Sequence, residues 1–421
     1  MIEASARPRQ SAWLLLGPGL LLAATGVGGG DLATGSIVGS LLGTTVLWAA
    51  VIGAGLKLVV TEGLARWQLA TGETLLEGAV HRLGRIVVWL FLPYLLLWSF
   101  FVGSAMMSAC GVALHAIVPV FDDSQTARVV FGAASGVVGL ALVLRGGYPL
   151  FGQVMRVCIA VMFVTVVATA ALLWPGTGVV LEGLLIPRIP TEVPGAVTWT
   201  VALIGGIGGT LTVLAYGYWL REEGRTGPEE LAACRIDIGV GYLMTALFGV
   251  AMIIVGTNIA VEGQGTGLLV ELAGALRGEL GVVGEWLFLA GTFGAVFSSL
   301  LGVWQSVPYL FADCMRLLAR EPGAPRVAEP VDTRSRWYRG YLIAIAFVPM
   351  IGLFVSFREV QKIYTVIGAL FFPLLALGLL IFNGRASWVG ARFVNGPLTV
   401  AALLGVLVLF TWIGIANIET S

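Results

Sequence analysis

Two glycine-rich segments interrupt long apolar stretches of this chain and carry its best-placed polar residues. The first break ends at Asp31, and its close copy ends at Thr210, about 180 residues later. Glycine costs roughly 1 kcal/mol in a helix interior and permits backbone conformations that other residues avoid. Both segments therefore predict an unwound helix. The residues that could bind a substrate at these breaks are Gly28, Gly29, Gly30, Asp31, Gly208, Gly209, Thr210 and Thr212.

The oxygen atoms at these breaks suit hard cations. A carboxylate from Asp31, threonine hydroxyls and the exposed carbonyls of an unwound turn are ligands for Mg²⁺, Mn²⁺, Ca²⁺ or alkali ions. Two structural alternatives stand beside this interpretation. Asp31 could cap a half-helix, and the threonine hydroxyls could bond to the preceding turn. One carboxylate oxygen could also cap while the other faces a cavity.

Lys57 is a second ionisable residue at membrane depth. Burying a charged side chain there costs free energy, so such a residue is by default a candidate for function. Asp31 is its natural partner on the adjoining helix, and the pair would act as a charge relay or as a substitute for an ion. Glu62 and Arg66 lie four residues apart and predict a structural ion pair. Asp237, with Arg235 nearby, is assigned no function.

A small and polar run follows in a later apolar stretch. Its glycines, among them Gly291 and Gly302, predict close helix packing. Its polar members, which could present oxygen to a water path, are Ser299, Gln305 and Ser306. Gln361 and Tyr364 are weaker candidates further along the chain. No hydrolase triad, phosphate-binding loop or paired acid/base site is present, so the sequence indicates neither an enzyme nor a bound cofactor.

The composition predicts a helical membrane protein. Apolar residues make up 58% of the 421 residues and charged residues only 11%, a balance that a bilayer accepts and water does not. No basic run indicates nucleic-acid binding, so the expected partners are lipid and a small solute. The predicted spans are 13–40, 44–69, 86–117, 126–145, 148–174, 195–220, 230–258, 283–318, 337–356, 359–382 and 397–416.

Basic residues predict the orientation of these eleven spans. With the amino terminus inside, the cytoplasmic segments hold 17 of the 24 Lys and Arg residues, and the opposite side holds 5. Short cytoplasmic loops carry such an excess. We therefore expect a plasma (inner) membrane protein with a cytoplasmic amino terminus, an external carboxyl terminus and a long cytoplasmic loop at 319–335.

The span count also predicts an internal repeat within one transmembrane domain, residues 1–421. Five spans in each half, about 13–174 and 195–382, force the halves to insert upside down relative to each other, and 397–416 is an additional helix. Broken helices at corresponding points of two inverted halves point to the binding site of a secondary transporter. Spans 1 and 6 contain the two breaks.

Several motifs resemble the natural resistance-associated macrophage protein (NRAMP) family of divalent-metal transporters. The resemblance covers most of the chain and implies an all-α, LeuT-type fold with a 5+5 inverted repeat and an eleventh helix. It also implies alternating access and import of transition-metal ions, usually coupled to protons. The motifs are Gly17-Pro18-Gly19, Gly28 to Gly35, Leu47-Trp48, Glu62 to Arg66, Thr71-Gly72, Ser298-Ser299 to Gln305, and Phe371 to Leu375.

The departures from the family fall on its metal site. The family's Asp-Pro-Gly-Asn aligns with Gly28 to Asp31, so the ligating aspartate is missing at Gly28 and the asparagine position holds Asp31. The family's Met-Pro-His aligns with Thr212 to Leu214, and losing the thioether removes the ligand that favours transition metals. The ligands that the resemblance implies are Asp31, Thr212 and backbone oxygens at Gly28 and Gly209.

Two functions remain open. The first is a secondary transporter of a hard divalent cation, Mg²⁺ or Mn²⁺, without proton coupling, because the histidine is absent and the third span has no acidic residue. The second is a cation-coupled symporter of a small organic anion or amino acid on the same fold, since glycines at a half-helix N-terminus can cradle a carboxylate. Lys57 would add positive charge there.

Overall fold

The computed structural model describes residues 17–258, 268–320 and 330–419, and α-helices dominate within these ranges. Residues before Gly17 and most of the loop predicted at 319–335 lie outside them. The helices are α1 (Pro18–Gly26), α2 (Gly29–Leu42), α3 (Leu47–Thr71), α4 (Leu75–Leu83), α5 (Ile86–Ile117), α6 (Ser124–Leu172), α7 (Thr177–Leu185), α8 (Ala196–Gly206), α9 (Ala215–Glu222), α10 (Leu231–Thr257), α11 (Leu268–Ala319), α12 (Arg336–Phe347), α13 (Phe357–Ala369), α14 (Phe371–Phe382), α15 (Ala386–Val389) and α16 (Pro397–Glu419).

The described helices account for the predicted spans. Eight segments are long and apolar enough to cross a membrane, and the apolar part of α16, Pro397–Trp412, is shorter. One of the eight, α6, contains two predicted spans, separated at Gly147, whose φ of 54° is not helical. Another segment, Thr34–Thr71, joins the second half of span 1 to span 2.

Glycines let several helices approach one another closely. A Cβ atom on Gly302 of α11 would collide with the Thr25 side chain on α1, and one on Gly291 would collide with Thr165 on α6. The small residues of the eighth span therefore serve close packing, as the sequence predicts. A Cβ atom on Gly53 of α3 would lie 2.7 Å from the carbonyl oxygen of Ile204 on α8.

Both predicted breaks are present, and they touch. Helix α1 ends at Gly26 and α2 begins at Gly29. Helix α8 ends at Gly206, and α9 begins only after a 3-10 turn at Leu211–Leu214. A Cβ atom on Gly26 would lie 2.5 Å from the carbonyl carbon of Gly208. The two unwound segments therefore meet backbone to backbone.

A buried charge network joins α4, α9 and α11 at the end of the bundle predicted to be cytoplasmic. Glu77 accepts hydrogen bonds from Arg221, at 2.5 Å, and from Arg316, and its side chain is 3% exposed. Burial alone would raise the pKa of Glu77, but the hydrogen bond and charge of Arg221, with the charge of Arg316, lower it below its usual range. Glu77 also completes a capping box with Thr74.

Gly26→Ala tests the contact between the breaks. The new methyl group meets backbone atoms of Gly208 that cannot rotate away, so we expect a lower melting temperature, equivalent to about 1–3 kcal/mol of overpacking. Gly55→Ala is the matched control, because nothing lies within 4 Å of a Cβ atom at this position of α3. Thermal unfolding in detergent checks both. Equal melting temperatures for the two variants would contradict the contact.

Glu77→Gln tests the charge network. We expect the free energy of unfolding to fall by about 3 kcal/mol, because the half-buried Arg221 loses its ionic partner on α4, whereas Arg316 keeps the carboxylate of Asp313 at 2.6 Å. Acidification should reproduce the loss in the parent, since stability from the ionised carboxylate disappears as the pH falls through its lowered pKa. The control is Glu182→Gln, which breaks an exposed pair with Arg188. Thermal unfolding measures both, and a parental melting temperature for Glu77→Gln would refute the network's role.

Candidate functional site

Hydroxyl groups on α11 satisfy the carbonyls freed where α1 ends. Ser299 Oγ carries one proton, which it can donate to the carbonyl oxygen of Val27 at 3.1 Å or to that of Ala24 at 3.3 Å, and Ser298 Oγ lies 3.1 Å from the Ala24 oxygen. Within a bilayer, an unwound segment persists only where such partners exist. Ser299, predicted to line a water path, therefore lies at the first break.

The second break depends on two glycines with left-handed backbone. Gly208 and Gly209 have φ values of 85° and 84°, which side chains with a Cβ atom rarely adopt. This turn exposes the carbonyl groups of Gly205, Ile207 and Gly209 on one side. No threonine hydroxyl meets those carbonyls in the hydrogen bonds of the described chain; a side chain from another helix does.

Lys57 fills that position. Its Nζ donates to the carbonyl oxygens of Ile207 and Gly209, both at 2.6 Å, and to that of Gly205 at 3.2 Å. An ammonium group has three N–H donors, so all of them are used. The residue is 1% exposed, and the ring of Phe372 on α14 lies 4.4 Å from Nζ.

Asp31 lies in the first turn of α2 and is 7% exposed. Gly28, not Asp31, occupies the N-cap position. The backbone N–H groups of Gly28 and Gly208 lie near its carboxylate, so Asp31 stands beside both breaks. Its Oδ2 atom is buried and has no hydrogen-bond partner within the described residues. That oxygen is therefore available to a ligand.

The expected direct pair between Asp31 and Lys57 does not form. No ion pair within the described residues joins them, because the ammonium donates instead to the carbonyl oxygens of the second break. Their opposite charges still attract each other across the site.

Two threonines and a tyrosine complete the polar lining. Thr210 is 8% exposed, and its Oγ1 makes no hydrogen bond within the described residues, although Tyr364 of α13 lies nearby. A Cβ atom on Gly368, one turn after Tyr364, would lie 2.8 Å from Thr210 Cγ2, so α13 packs against the second break. Thr212 is 4% exposed, and its hydroxyl lies against Gly209.

The other predicted polar residues of α11 make different contacts. Gln305 Oε1 accepts from Trp219 at 2.5 Å, and its Nε2 donates to the Tyr309 hydroxyl at 3.2 Å. Ser306 Oγ is buried and has no partner within the described residues. Gln305 therefore joins α11 to α9, whereas a water path through these residues stays a prediction.

Asp237 is a residue whose position the sequence does not reveal. Its two carboxylate oxygens accept from the backbone N–H groups of Gly17, at 3.0 Å, and Gly19, at 2.7 Å, and the Tyr216 hydroxyl donates to it at 3.2 Å. It thus caps α1 and ties it to α9. One sequence feature could have pointed to this role. The helix start at Gly17-Pro18-Gly19 has no side chain that could cap it, so a cap must come from elsewhere in the chain. Arg235 pairs with Glu62 instead, at 2.8 Å.

The ion pair predicted between Glu62 and Arg66 is confirmed, with 3.2 Å between Oε2 and Nε. Arg66 also donates to the carbonyl oxygen of Phe393 at 2.9 Å and to Asn395 Oδ1 at 2.8 Å. This pair lies near the end of α3 and anchors the segment before α16. It has no part in the pocket.

Two proteins of known sequence are similar to this chain over much of its length. An uncharacterized protein of Pasteurella multocida is 22% identical over 99% of this chain and 96% of its own length. A protein of Mycobacterium tuberculosis described as the divalent metal cation transporter MntH is 25% identical over 69% of this chain and 68% of its own length.

Solved structures show the same architecture. The manganese transporter of Eremococcus coleocola superimposes with a TM-score of 0.72 at 17% identity, covering 99% of this chain and 89% of that one. MhsT, solved with L-phenylalanine, gives a TM-score of 0.63 at 14% identity, covering 94% and 97%. At these identities the likeness shows the fold alone. It is an inverted-repeat transporter fold in which spans 1 and 6 are broken.

The family itself follows from the whole sequence. Residues 19–419 match the model of the family described as natural resistance-associated macrophage protein-like. This range includes both breaks, Lys57 and every helix that lines the pocket. The chain is a membrane transporter of the NRAMP family, and it has the LeuT-type fold.

Proposed function

We propose that this protein is a secondary transporter that moves a hard divalent cation, Mg²⁺ or Mn²⁺, by alternating access. One observation carries the proposal: a buried carboxylate oxygen, Asp31 Oδ2, has no partner within the described residues and lies where two broken helices meet. A buried acceptor without a donor is costly, and a bound cation removes that cost.

The ligands that remain free favour a partly hydrated ion. The carbonyl oxygen of Gly28 accepts from the backbone N–H of Leu32 at 3.0 Å and keeps one lone pair, whereas that of Gly209 faces the Lys57 ammonium, which repels a second cation. The proposed ligands are therefore Asp31, the hydroxyls of Thr210 and Thr212, the Gly28 carbonyl and water. Mg²⁺ dehydrates reluctantly and is commonly held by one or two carboxylates with several waters.

Hard ligands separate this proposal from soft-metal transport. The polar groups at the breaks are a carboxylate and hydroxyls, and the family resemblance puts Thr212 at the methionine position, while the buried Met106 Sδ lies 3.7 Å from the Cβ position of Gly28. Mg²⁺ and Mn²⁺ suit such oxygen ligands, whereas thioether and thiolate ligands select softer ions. The relatives described as transporters of divalent cations and of manganese support the divalent charge.

Alternating access would move the half-helices that flank the pocket. Asp237 ties α1 to α9, and Arg221 ties α9 to Glu77 on α4. Opening toward the end predicted to be cytoplasmic therefore requires these polar contacts to separate. We infer transport without proton coupling, because α5 contains no acidic residue and no histidine follows the second break.

Asp31→Asn tests the proposed ligand. The amide keeps the shape of the side chain and removes its charge, so we expect Mg²⁺ and Mn²⁺ affinity to fall by about tenfold or more, on the scale of 1.4 kcal/mol per tenfold. Calorimetric binding and uptake into proteoliposomes measure this. Glu182→Gln, at an exposed pair with Arg188 outside both breaks, is the control and should match the parent.

This experiment answers two separate questions: whether Asp31 is a ligand, and whether a divalent cation is the substrate. Undiminished binding by Asp31→Asn would exclude Asp31 as a ligand. No binding of either ion by the parent would reject the divalent cation as cargo, while leaving the family and fold in place.

A second candidate function is a cation-coupled symporter of a small organic anion or amino acid. The observation that favours it is the charge of Lys57 beside Asp31, since a pocket with one negative and one positive group suits a solute without net charge better than a bare divalent ion. An amino acid could place its ammonium at Asp31 and its carboxylate at the N-terminus of α2.

Thermal stabilisation distinguishes this candidate. If the protein is a symporter, L-alanine, L-phenylalanine or lactate should raise the melting temperature of the parent in a saturable manner, and Mg²⁺ and Mn²⁺ should not. The divalent-cation proposal expects the reverse pattern, measured in the same buffer with the same protein.

A further inference from the structure

The carbonyl groups freed at the second break converge on one point, and a side chain from α3 fills it. We propose that the Lys57 ammonium is a tethered substitute for a monovalent cation, held in a carbonyl seat where the unwound helix would otherwise need a free ion such as Na⁺ or K⁺. The seat is formed by the carbonyl oxygens of Gly205, Ile207 and Gly209.

The geometry of the seat matches that of an ion site. Backbone carbonyl rings replace the hydration shell of alkali cations in membrane proteins. Here the left-handed residues Gly208 and Gly209 accompany a turn in which alternate carbonyl groups, those of Gly205, Ile207 and Gly209, converge on Nζ. Distances of 2.6, 2.6 and 3.2 Å leave no room for water between Nζ and the three oxygens.

The enclosure of Lys57 argues against the simpler roles for an intramembrane lysine. At 1% exposure it does not snorkel to an interface. All three of its donors are committed to the backbone, so none is left to bind a solute. Phe372 covers the group from α14 with its ring face. What remains is the role of a cation that holds an unwound segment in shape.

Lysine suits this seat better than arginine. An ammonium is a compact point charge with three diverging donors, whereas a guanidinium is a planar fork. Lysine is rare in this chain: of its 24 Lys and Arg residues, only Lys57 and Lys362 are lysines. Lys362, on α13, is exposed.

Two consequences follow for ion dependence. The parent carries its own cation, so Na⁺ and K⁺ should not stabilise it through this seat. Shortening the side chain removes the charge, leaves three carbonyl oxygens unpaired in a membrane interior and opens a space that a free ion can enter. The inference does not depend on which solute Asp31 binds.

Lys57→Ala, Lys57→Met and Lys362→Ala test the seat. Melting temperatures are measured in detergent with chelator present, as NaCl or KCl replaces choline chloride at constant ionic strength. We expect Lys57→Ala to melt several degrees lower in choline and to recover in a saturable manner with Na⁺ or K⁺. Lys57→Met, whose apolar arm fills the space, should melt lower without recovery. The parent and Lys362→Ala should not respond.

Two results would overturn the proposal. One is a saturable response of the parent to Na⁺ or K⁺ that Lys57→Ala loses. The other is a folded Lys57→Ala that responds to neither ion. If Lys57→Ala does not fold in any of these salts, Lys57→Gln decides in the same titration: stabilisation by an alkali ion supports the seat, and indifference overturns it.

Because chelator removes divalent ions throughout, failure of the divalent-cation proposal would leave these results unchanged. Conversely, a parental alkali response that Lys57→Ala loses would reject the tethered cation without bearing on Mg²⁺ or Mn²⁺ transport.

Discussion

Backbone groups exposed inside a bilayer must find partners, and this requirement organises the whole pocket. Two helices unwind at glycines and touch, which leaves free carbonyl and N–H groups at membrane depth. Serines from α11 satisfy the first break, and Lys57 from α3 satisfies the second. The helices around the breaks are therefore placed by the hydrogen bonds that the breaks need. Asp31 Oδ2, where the breaks meet, is a buried acceptor without a partner within the described residues.

Charge in the pocket is arranged by the same geometry. Asp31 lies beside the N–H groups of Gly28 and Gly208, and the Lys57 ammonium is held by the carbonyls of the second break. One acidic and one basic side chain thus lie against the same unwound segment. Buried oxygen groups of Asp31, Thr210 and Thr212 lie at the breaks, and the thioether of Met106 lies near Gly28.

The helix breaks and the membrane spans could be predicted from local sequence, whereas the contacts of Lys57 and Asp237 could not. The breaks follow from glycine's cost in a helix, and the spans from apolar length, so α6 and the break near Asp31 were predictable. The three carbonyls around Lys57 were not, because the direction of a freed carbonyl depends on backbone angles at Gly208 and Gly209. Asp237 escaped prediction because its partners, Gly17 and Gly19, lie more than 200 residues away in the chain.

The central claim is that the two breaks enclose one cation-binding pocket at Asp31 while Lys57 keeps the carbonyl seat. A crystal of the protein soaked in Mn²⁺ tests it directly through anomalous scattering. The account predicts one peak beside Asp31 and Thr210, with Lys57 Nζ still on the carbonyls of Ile207 and Gly209. A peak on those carbonyls with Lys57 displaced, or no peak between the breaks, would contradict it.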